Sequence, residues 1–287
     1  MASTPKFFIE SDGKVLCRLC PSNCDIENGR FGSCGVRGNK GGNGIIPFYG
    51  FVSALAMDPI EKKPLYHFKP GTQILSIGFA GCNLRCPFCQ NWRISQDTEI
   101  PGKWMKPGEV VSAALKYDSP SIAYTYSEPL VHAEYLLDCM ALARSHGIAN
   151  VLVTNGCITA EAAKEILALT DAANVDLKSF SAQTYKKTLG GDLQTVLEFI
   201  KLTHKMNVHL EITTLVVPEL NDTEEELNET ADFIASVDKN IPWHLSAYRP
   251  EYRWNAPPTD PGFILQMVEK MRGKLTHVYA GNVRQLQ

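Results

Sequence analysis

From residue 72 onward, short apolar runs alternate with stretches in which hydrophobic residues recur every third or fourth position. The runs at 73–79, 122–127, 150–154, 174–177, 209–217 and 243–248 read as buried strands. The periodic stretches at 133–146, 160–169, 193–206, 223–236 and 263–272 read as helices. Thr159 and Thr223 stand where N-caps belong, and Gly147 and Gly273 where helices stop. Strand–helix units repeated at this length predict a parallel sheet with crossover helices. Six strands are too many for half of a nucleotide-binding fold, and no glycine fingerprint opens the first helix. The expected architecture is therefore α/β, a partial (β/α)6 barrel of the TIM type over residues 71–287. Active sites in such barrels gather at the C-terminal ends of the strands, and that rule sorts the motifs.

Residues 1–70 break the pattern. The first 50 are rich in glycine, asparagine and cysteine and carry no helical period. Gly38-Asn39-Lys40-Gly41-Gly42-Asn43-Gly44 reads as a hairpin connection, because no helix signal follows it as a phosphate loop requires. A bridge at 48–71 leads into the barrel, so residues 1–70 are expected to form a Cys-rich N-terminal extension.

Charge removes some function classes. The net charge of −3, with no like-charge run longer than Glu224-Glu225-Glu226, gives no case for a nucleic-acid or anionic-membrane surface. The N-terminus lacks the apolar core of a signal peptide, and the greasiest stretch, 74–80, is far short of a bilayer span. A cytoplasmic location is expected. That compartment is reducing, so nine cysteines need a purpose other than disulfides.

Their placement suggests metal chemistry. Gly81-Cys82-Asn83-Leu84-Arg85-Cys86-Pro87-Phe88-Cys89 follows the first strand directly. Three thiolates in this C-x3-C-x2-C spacing can hold three irons of a cubane and leave the fourth open. An open coordination position is what separates a catalytic metal site from a structural one. Rival readings are buried structural cysteines, a Cys86/Cys89 dithiol, and a zinc deaminase built on His132-Ala133-Glu134. The dithiol leaves Cys82 without a role. The deaminase needs its P-C-x-x-C after the histidine, and here the cysteines come before it.

The C-x3-C-x-aromatic-C motif after the first strand of a six-unit barrel resembles the radical S-adenosylmethionine (SAM) superfamily. The stretch Asp58-Pro59-Ile60-Glu61-Lys62-Lys63-Pro64-Leu65-Tyr66-His67-Phe68, with Cys89-Gln90-Asn91-Trp92, is similar to the AmmeMemoRadiSam-system enzymes, relatives of pyruvate formate-lyase activating enzyme. The likeness runs from about Cys17 to Asn282. It implies a [4Fe–4S] cluster on Cys82, Cys86 and Cys89, with SAM on the open iron and Phe88 packed near its adenine. Tyr126-Ser127-Glu128-Pro129 occupies the place of a Gly-Gly-Glu-Pro segment, which implies that Ser127 and Glu128 meet SAM. Glu128 would pair with the ammonium; the plainer alternative is a solvated helix-start glutamate. Asn155 in Thr154-Asn155-Gly156, and Asp176 and Lys178 in Asp176-Leu177-Lys178, are implied to contact SAM or substrate. Arg249 stands where the family has a histidine and is read as an anion contact; His244 is read as a packed strand histidine. The resemblance further implies a flavodoxin or ferredoxin as one-electron donor, a glycyl radical protein as target and a Memo-like companion.

Cys17, Cys20, Cys24 and Cys34 supply four thiolates in a segment with little apolar content. A structural zinc, an auxiliary iron–sulfur cluster and reduced, unligated thiols all fit the spacing. Cys139 reads as core and Cys157 as a packed thiol. Two rivals stand for the whole chain: a thiol–disulfide oxidoreductase, and a non-catalytic metal-binding adaptor.

Overall fold

The computed structural model describes residues 5–97 and 100–283. Its centre is an eight-stranded sheet formed by β1 (Ala54–Pro59), β2 (Gln73–Gly78), β3 (Ser121–Thr125), β4 (Ala149–Thr154), β5 (Ala172–Asp176), β6 (His209–Val216), β7 (Trp243–Ala247) and β8 (Val278–Gly281), arranged in chain order. Neighbours from β2 to β8 run parallel, and β1 pairs antiparallel on the outer edge of β2. The crossovers are α1 (Pro107–Lys116), α2 (Ala133–Ser145), α3 (Ala160–Leu167), α4 (Leu193–Lys205), α5 (Glu224–Asp238) and α6 (Pro261–Met271). These are the six strand–helix units of a partial barrel, closed by a seventh parallel strand. Every residue of β3 and β7 is buried, as expected of parallel strands covered on both faces.

The helices are set by local chemistry. Thr223 caps α5 by accepting from the Glu226 amide at 3.2 Å, and Gly147 follows α2 with φ near 72°. Thr159 precedes α3, but its hydroxyl donates to the carbonyls of Arg18 and Leu19 in the extension, at 3.2 and 3.3 Å.

Among the central strands and their crossover helices, three lie outside the sequence expectation. Strands β1 and β8 are edges whose faces are only half covered, so their apolar pattern is weak. Helix α1 begins Pro107-Gly108, which looks like a turn, yet proline suits a first helical position. The expected boundary between residues 70 and 71 falls between β1 and β2, which pair from Ala54↔Gly78 to Pro59↔Gln73.

The extension holds a small antiparallel sheet of Phe8–Ser11, Lys14–Cys17 and Asp25–Ile26, and a hairpin of Gly38–Lys40 with Asn43–Ile45 turning at Gly41-Gly42. It is seated on the barrel by a buried ion pair. Arg37 Nη1 and Nη2 meet Glu134 Oε2 and Oε1 at 2.7 and 2.9 Å, with both side chains about 1% exposed. Arg37 also donates to the Lys6 carbonyl, and its guanidinium covers the Phe8 ring at 4.4 Å. Nearby, His132 bonds the Ala80 carbonyl at 2.7 Å and stacks on Phe79. The His132-x-Glu134 pair is therefore spent on packing, which removes the deaminase reading independently of motif order.

Among the described residues, no helix is long and apolar enough to cross a membrane.

Candidate active site

A cavity of about 550 Å³ opens at the C-terminal ends of the barrel strands. Cys82, Cys86 and Cys89 line it from the loop after β2, Glu128 from the turn after β3, Asn155 from the end of β4, and Lys178 from just past β5. Phe88, Ser127 and Asp176 line it as well. Residues drawn from four separate motifs thus share one chamber because each motif follows a neighbouring parallel strand.

The cysteine loop is pinned by contacts distant in sequence. The Arg85 amide donates to the Leu189 carbonyl at 2.7 Å, and the Arg253 amide to the Pro87 carbonyl at 2.8 Å. Gly81 enters the loop with φ near 77°, and a Cβ there would lie 2.4 Å from the Cys34 carbonyl, so only glycine fits. The sulfurs have polar neighbours: the Leu84 amide donates to Cys82 Sγ at 3.3 Å, and Ser95 Oγ lies 3.2 Å from Cys89 Sγ. Burial pushes the Cys86 thiol up to about 11 and the Cys82 thiol well above its ordinary value. An activated exchange thiol needs the opposite shift, which counts against the dithiol rival.

Glu128 is about 1% exposed, so the solvated reading does not hold. It caps the turn Pro129–His132 by accepting from the Leu130 amide at 3.0 Å. Thr154 Oγ1 donates to the same oxygen at 2.6 Å, and the Asn155 amide to the other at 2.8 Å. Burial raises its pKa to about 7 against these donors. Asn155 in turn bridges the strands: its Nδ2 donates to Asn83 Oδ1 at 3.0 Å and lies 3.7 Å from Cys82 Sγ.

Asp176 and Lys178 pair at 3.0 Å across the cavity wall. Burial opposes the ammonium, but Asp176 and the Cys86 sulfur hold the Lys178 pKa above the ordinary lysine value. Ser127 Oγ donates to the Phe79 carbonyl at 2.8 Å. Arg249 is exposed and does not line the cavity. His244 is buried against Glu211, its Nε2 2.7 Å from Oε2, the packed histidine expected. Cys139 and Cys157 are both buried.

One group escaped the sequence reading although its residues stand in the quoted motif. Asp58, on β1, receives Lys63 Nζ at 2.6 Å, Lys62 Nζ at 2.8 Å and the Tyr126 hydroxyl at 2.5 Å. Lys63 also sits 4.4 Å from the centre of the Tyr126 ring. Tyr126 has φ near 71°, a conformation glycine adopts without strain, and its ring lies where a Cβ on Gly78 would stand. The departure from Gly-Gly is thus compensated by a glycine on the facing strand and by the carboxylate that takes the hydroxyl. Burial works against the Asp58 carboxylate, yet Lys62, Lys63 and Tyr126 hold its pKa well below the usual range. Asp58→Asn is expected to lower stability at pH 7 by about 3–5 kcal/mol, since it strands a buried ammonium. A depressed pKa stabilises fully above the unfolded value near 4 and is lost as pH falls below it. Urea unfolding should therefore show the Asn deficit shrinking from pH 7 to pH 3. An equal deficit at both would mean that the charge of Asp58 contributes nothing.

Residues 76–234 match the family model described as the Radical SAM superfamily. An uncharacterized protein of Methanocaldococcus jannaschii is 42% identical over 277 residues, covering 95% of this chain and 82% of its own. The pyruvate formate-lyase-activating enzyme of Clostridium pasteurianum is 26% identical over 177 residues, covering 58% of this chain and 71% of its own. In fold, the chain is similar to the structure of Streptococcus suis SuiB bound to S-adenosylmethionine. The TM-score is 0.56 at 16% identity, over 70% of this chain and 47% of that one.

Proposed function

The chain belongs to the radical SAM superfamily, and on that premise we propose that it cleaves SAM reductively at a cluster on Cys82, Cys86 and Cys89 and directs the radical at a protein substrate. The superfamily uses a [4Fe–4S] cluster with SAM, and the residues present suit both. Three thiols face one chamber with a buried carboxylate, an amide and an ammonium, which match the thiolate-bound irons and the charged ends of a sulfonium amino acid. The cluster would supply the electron that splits SAM into methionine and a 5′-deoxyadenosyl radical.

The chain's own residues would bind and exclude. Cys82, Cys86 and Cys89 would hold three irons and leave one coordination position open. Glu128, fixed by three donors, offers its remaining acceptor capacity to the SAM ammonium. Phe88, a buried ring in the wall, gives an apolar surface for adenine, and Ser127 and Asn155 polar contacts beside it. Asp176 and Lys178 stand ready for a carboxylate or for substrate. Proteins with a pyruvate formate-lyase-activating name among the relatives support a glycyl radical protein as the target. A flavodoxin or ferredoxin would deliver the electron. Exposed Arg85, in the cysteine loop, and exposed Arg253, whose amide bonds the Pro87 carbonyl of that loop, suit an acidic donor. A Memo-like protein is the companion proposed beside it.

The observation that carries this reading is that the three cysteines and buried Glu128 open onto the same cavity. The test is anaerobic reconstitution with iron and sulfide, reduction, addition of SAM, and quantification of 5′-deoxyadenosine and methionine. Both products should form in equal amounts and disappear in the Cys82→Ala/Cys86→Ala/Cys89→Ala variant. A chain that loads no cluster on these cysteines would overturn the reading.

A further inference from the structure

We propose that Cys17, Cys20, Cys24 and Cys34 bind a second metal centre through four thiolates, seated directly behind the loop that carries Cys82. This goes beyond the SAM chemistry and does not depend on it.

The fold brings the four together. The Cys17 amide donates to the Cys24 carbonyl at 2.9 Å, closing the loop between them. A Cβ on Gly32 would lie 3.2 Å from Cys24 Sγ, which puts that sulfur against the turn leading to Cys34. Within the first loop the Asn23 amide donates to the Cys20 carbonyl at 3.1 Å, a turn that keeps Cys20 between Cys17 and Cys24, and the Gly35 amide donates to the Gly32 carbonyl at 2.9 Å, turning the chain at Cys34 beside Gly32. Cys17, Cys20 and Cys34 are buried, and Cys24 is at the rim.

Cys24 Sγ accepts from the Ser33 amide at 3.3 Å and lies 3.4 Å from Ser33 Oγ. An amide aimed at a sulfur is the kind of contact that supports an anionic, metal-bound thiolate. The surrounding segment is made of strands only two to four residues long. Such a segment gains its fixed shape most readily from a metal.

Among the described residues no three cysteine, histidine or acidic side chains already converge on a single ion, and this holds for Cys82, Cys86 and Cys89 as for the N-terminal four. The ligand chemistry is thus common to an iron–sulfur cluster and to a zinc ion that draws the thiolates inward, and the experiment separates them.

The centre would brace the catalytic loop. The Cys34 carbonyl lies against Gly81, and the Leu19 carbonyl, next to Cys20, accepts at 3.0 Å from the amide of Thr159, two residues past Cys157, whose carbonyl accepts from Asn83 Nδ2 at 2.7 Å.

The test uses the full chain carrying Cys82→Ala, Cys86→Ala and Cys89→Ala, so that the first site cannot contribute. One sample is incubated anaerobically with zinc(II) alone, another with iron(II) and sulfide; both are desalted and assayed for metal, and the iron sample for its visible charge-transfer absorption. The chain should retain about one zinc, or about four irons, per molecule. Adding Cys24→Ser, at the partly buried rim of the group, should speed metal loss to a chelator roughly tenfold or more. A folded triple variant, by near-ultraviolet circular dichroism, that retains neither metal overturns the proposal, as does unchanged retention after Cys24→Ser. Wild-type protein that loads iron and cleaves SAM while the triple variant stays metal-free would sink this centre and leave the SAM reading intact.

Discussion

Glu128→Gln is expected to weaken SAM binding by roughly 10- to 150-fold, the range of one charge-assisted hydrogen bond of about 1.5–3 kcal/mol. Two losses combine. The ammonium of SAM loses its counter-charge, and the glutamine NH2 must face either the Thr154 hydroxyl and Leu130 amide or the Asn155 amide, all of which donate to the native carboxylate. The pH dependence adds a signature that a merely structural residue lacks. Burial raises the Glu128 pKa to about 7. Without SAM, this group favours the folded state on the acid side and loses that contribution as pH rises from its ordinary value near 4.5 through 7. A bound cation favours the ionised form, so SAM should bind more tightly as pH rises to about 7 and level off above it. Equilibrium dialysis of labelled SAM between pH 5.5 and 8.5 reads both effects. Affinity within twofold of wild type in the glutamine variant, with the slope preserved, would remove Glu128 from the binding set.

A stability effect as large as that of Asp58→Asn is expected at the junction of extension and barrel. Arg37→Met or Glu134→Leu alone leaves one charge buried without its partner and should lower unfolding free energy by about 3–5 kcal/mol. The double variant replaces both charges with apolar groups and should recover most of that loss. Urea unfolding of all four proteins closes the cycle. Single variants within about 1 kcal/mol of wild type would mean that the pair does not hold the extension down.

The barrel was legible because parallel strands buried on both faces leave continuous apolar runs, as Ile122-Ala123-Tyr124 and Val151-Leu152-Val153 do. Edges β1 and β8 leave a mixed pattern, and an opening Pro107-Gly108 hid α1. In the site, the three cysteines announce themselves by spacing within eight residues. Glu128, Asn155 and Lys178 stood out only through resemblance, since nothing local marks a glutamate whose donors come from the next strand. Asp58 and Tyr126, separated by 68 positions, and Arg37 and Glu134, separated by 97, form pairs that only the three-dimensional path creates. The H-x-E motif misleads for the same reason: its glutamate answers an arginine far upstream.

That separation has a consequence for how the protein is made. Arg37 leaves the ribosome 97 residues before Glu134, an interval of about 5–20 s at about 5–20 residues per second. The surfaces that seat Cys34 and Leu19, at Gly81 and Thr159, also emerge later than the segment they receive. The part of the chain synthesised first is thus the last to find its place, and its four thiols wait in the open until much of the barrel exists. Nascent chains stalled before residue 134 should accordingly expose Cys17, Cys20 and Cys34 to alkylation, and completed chains should protect them.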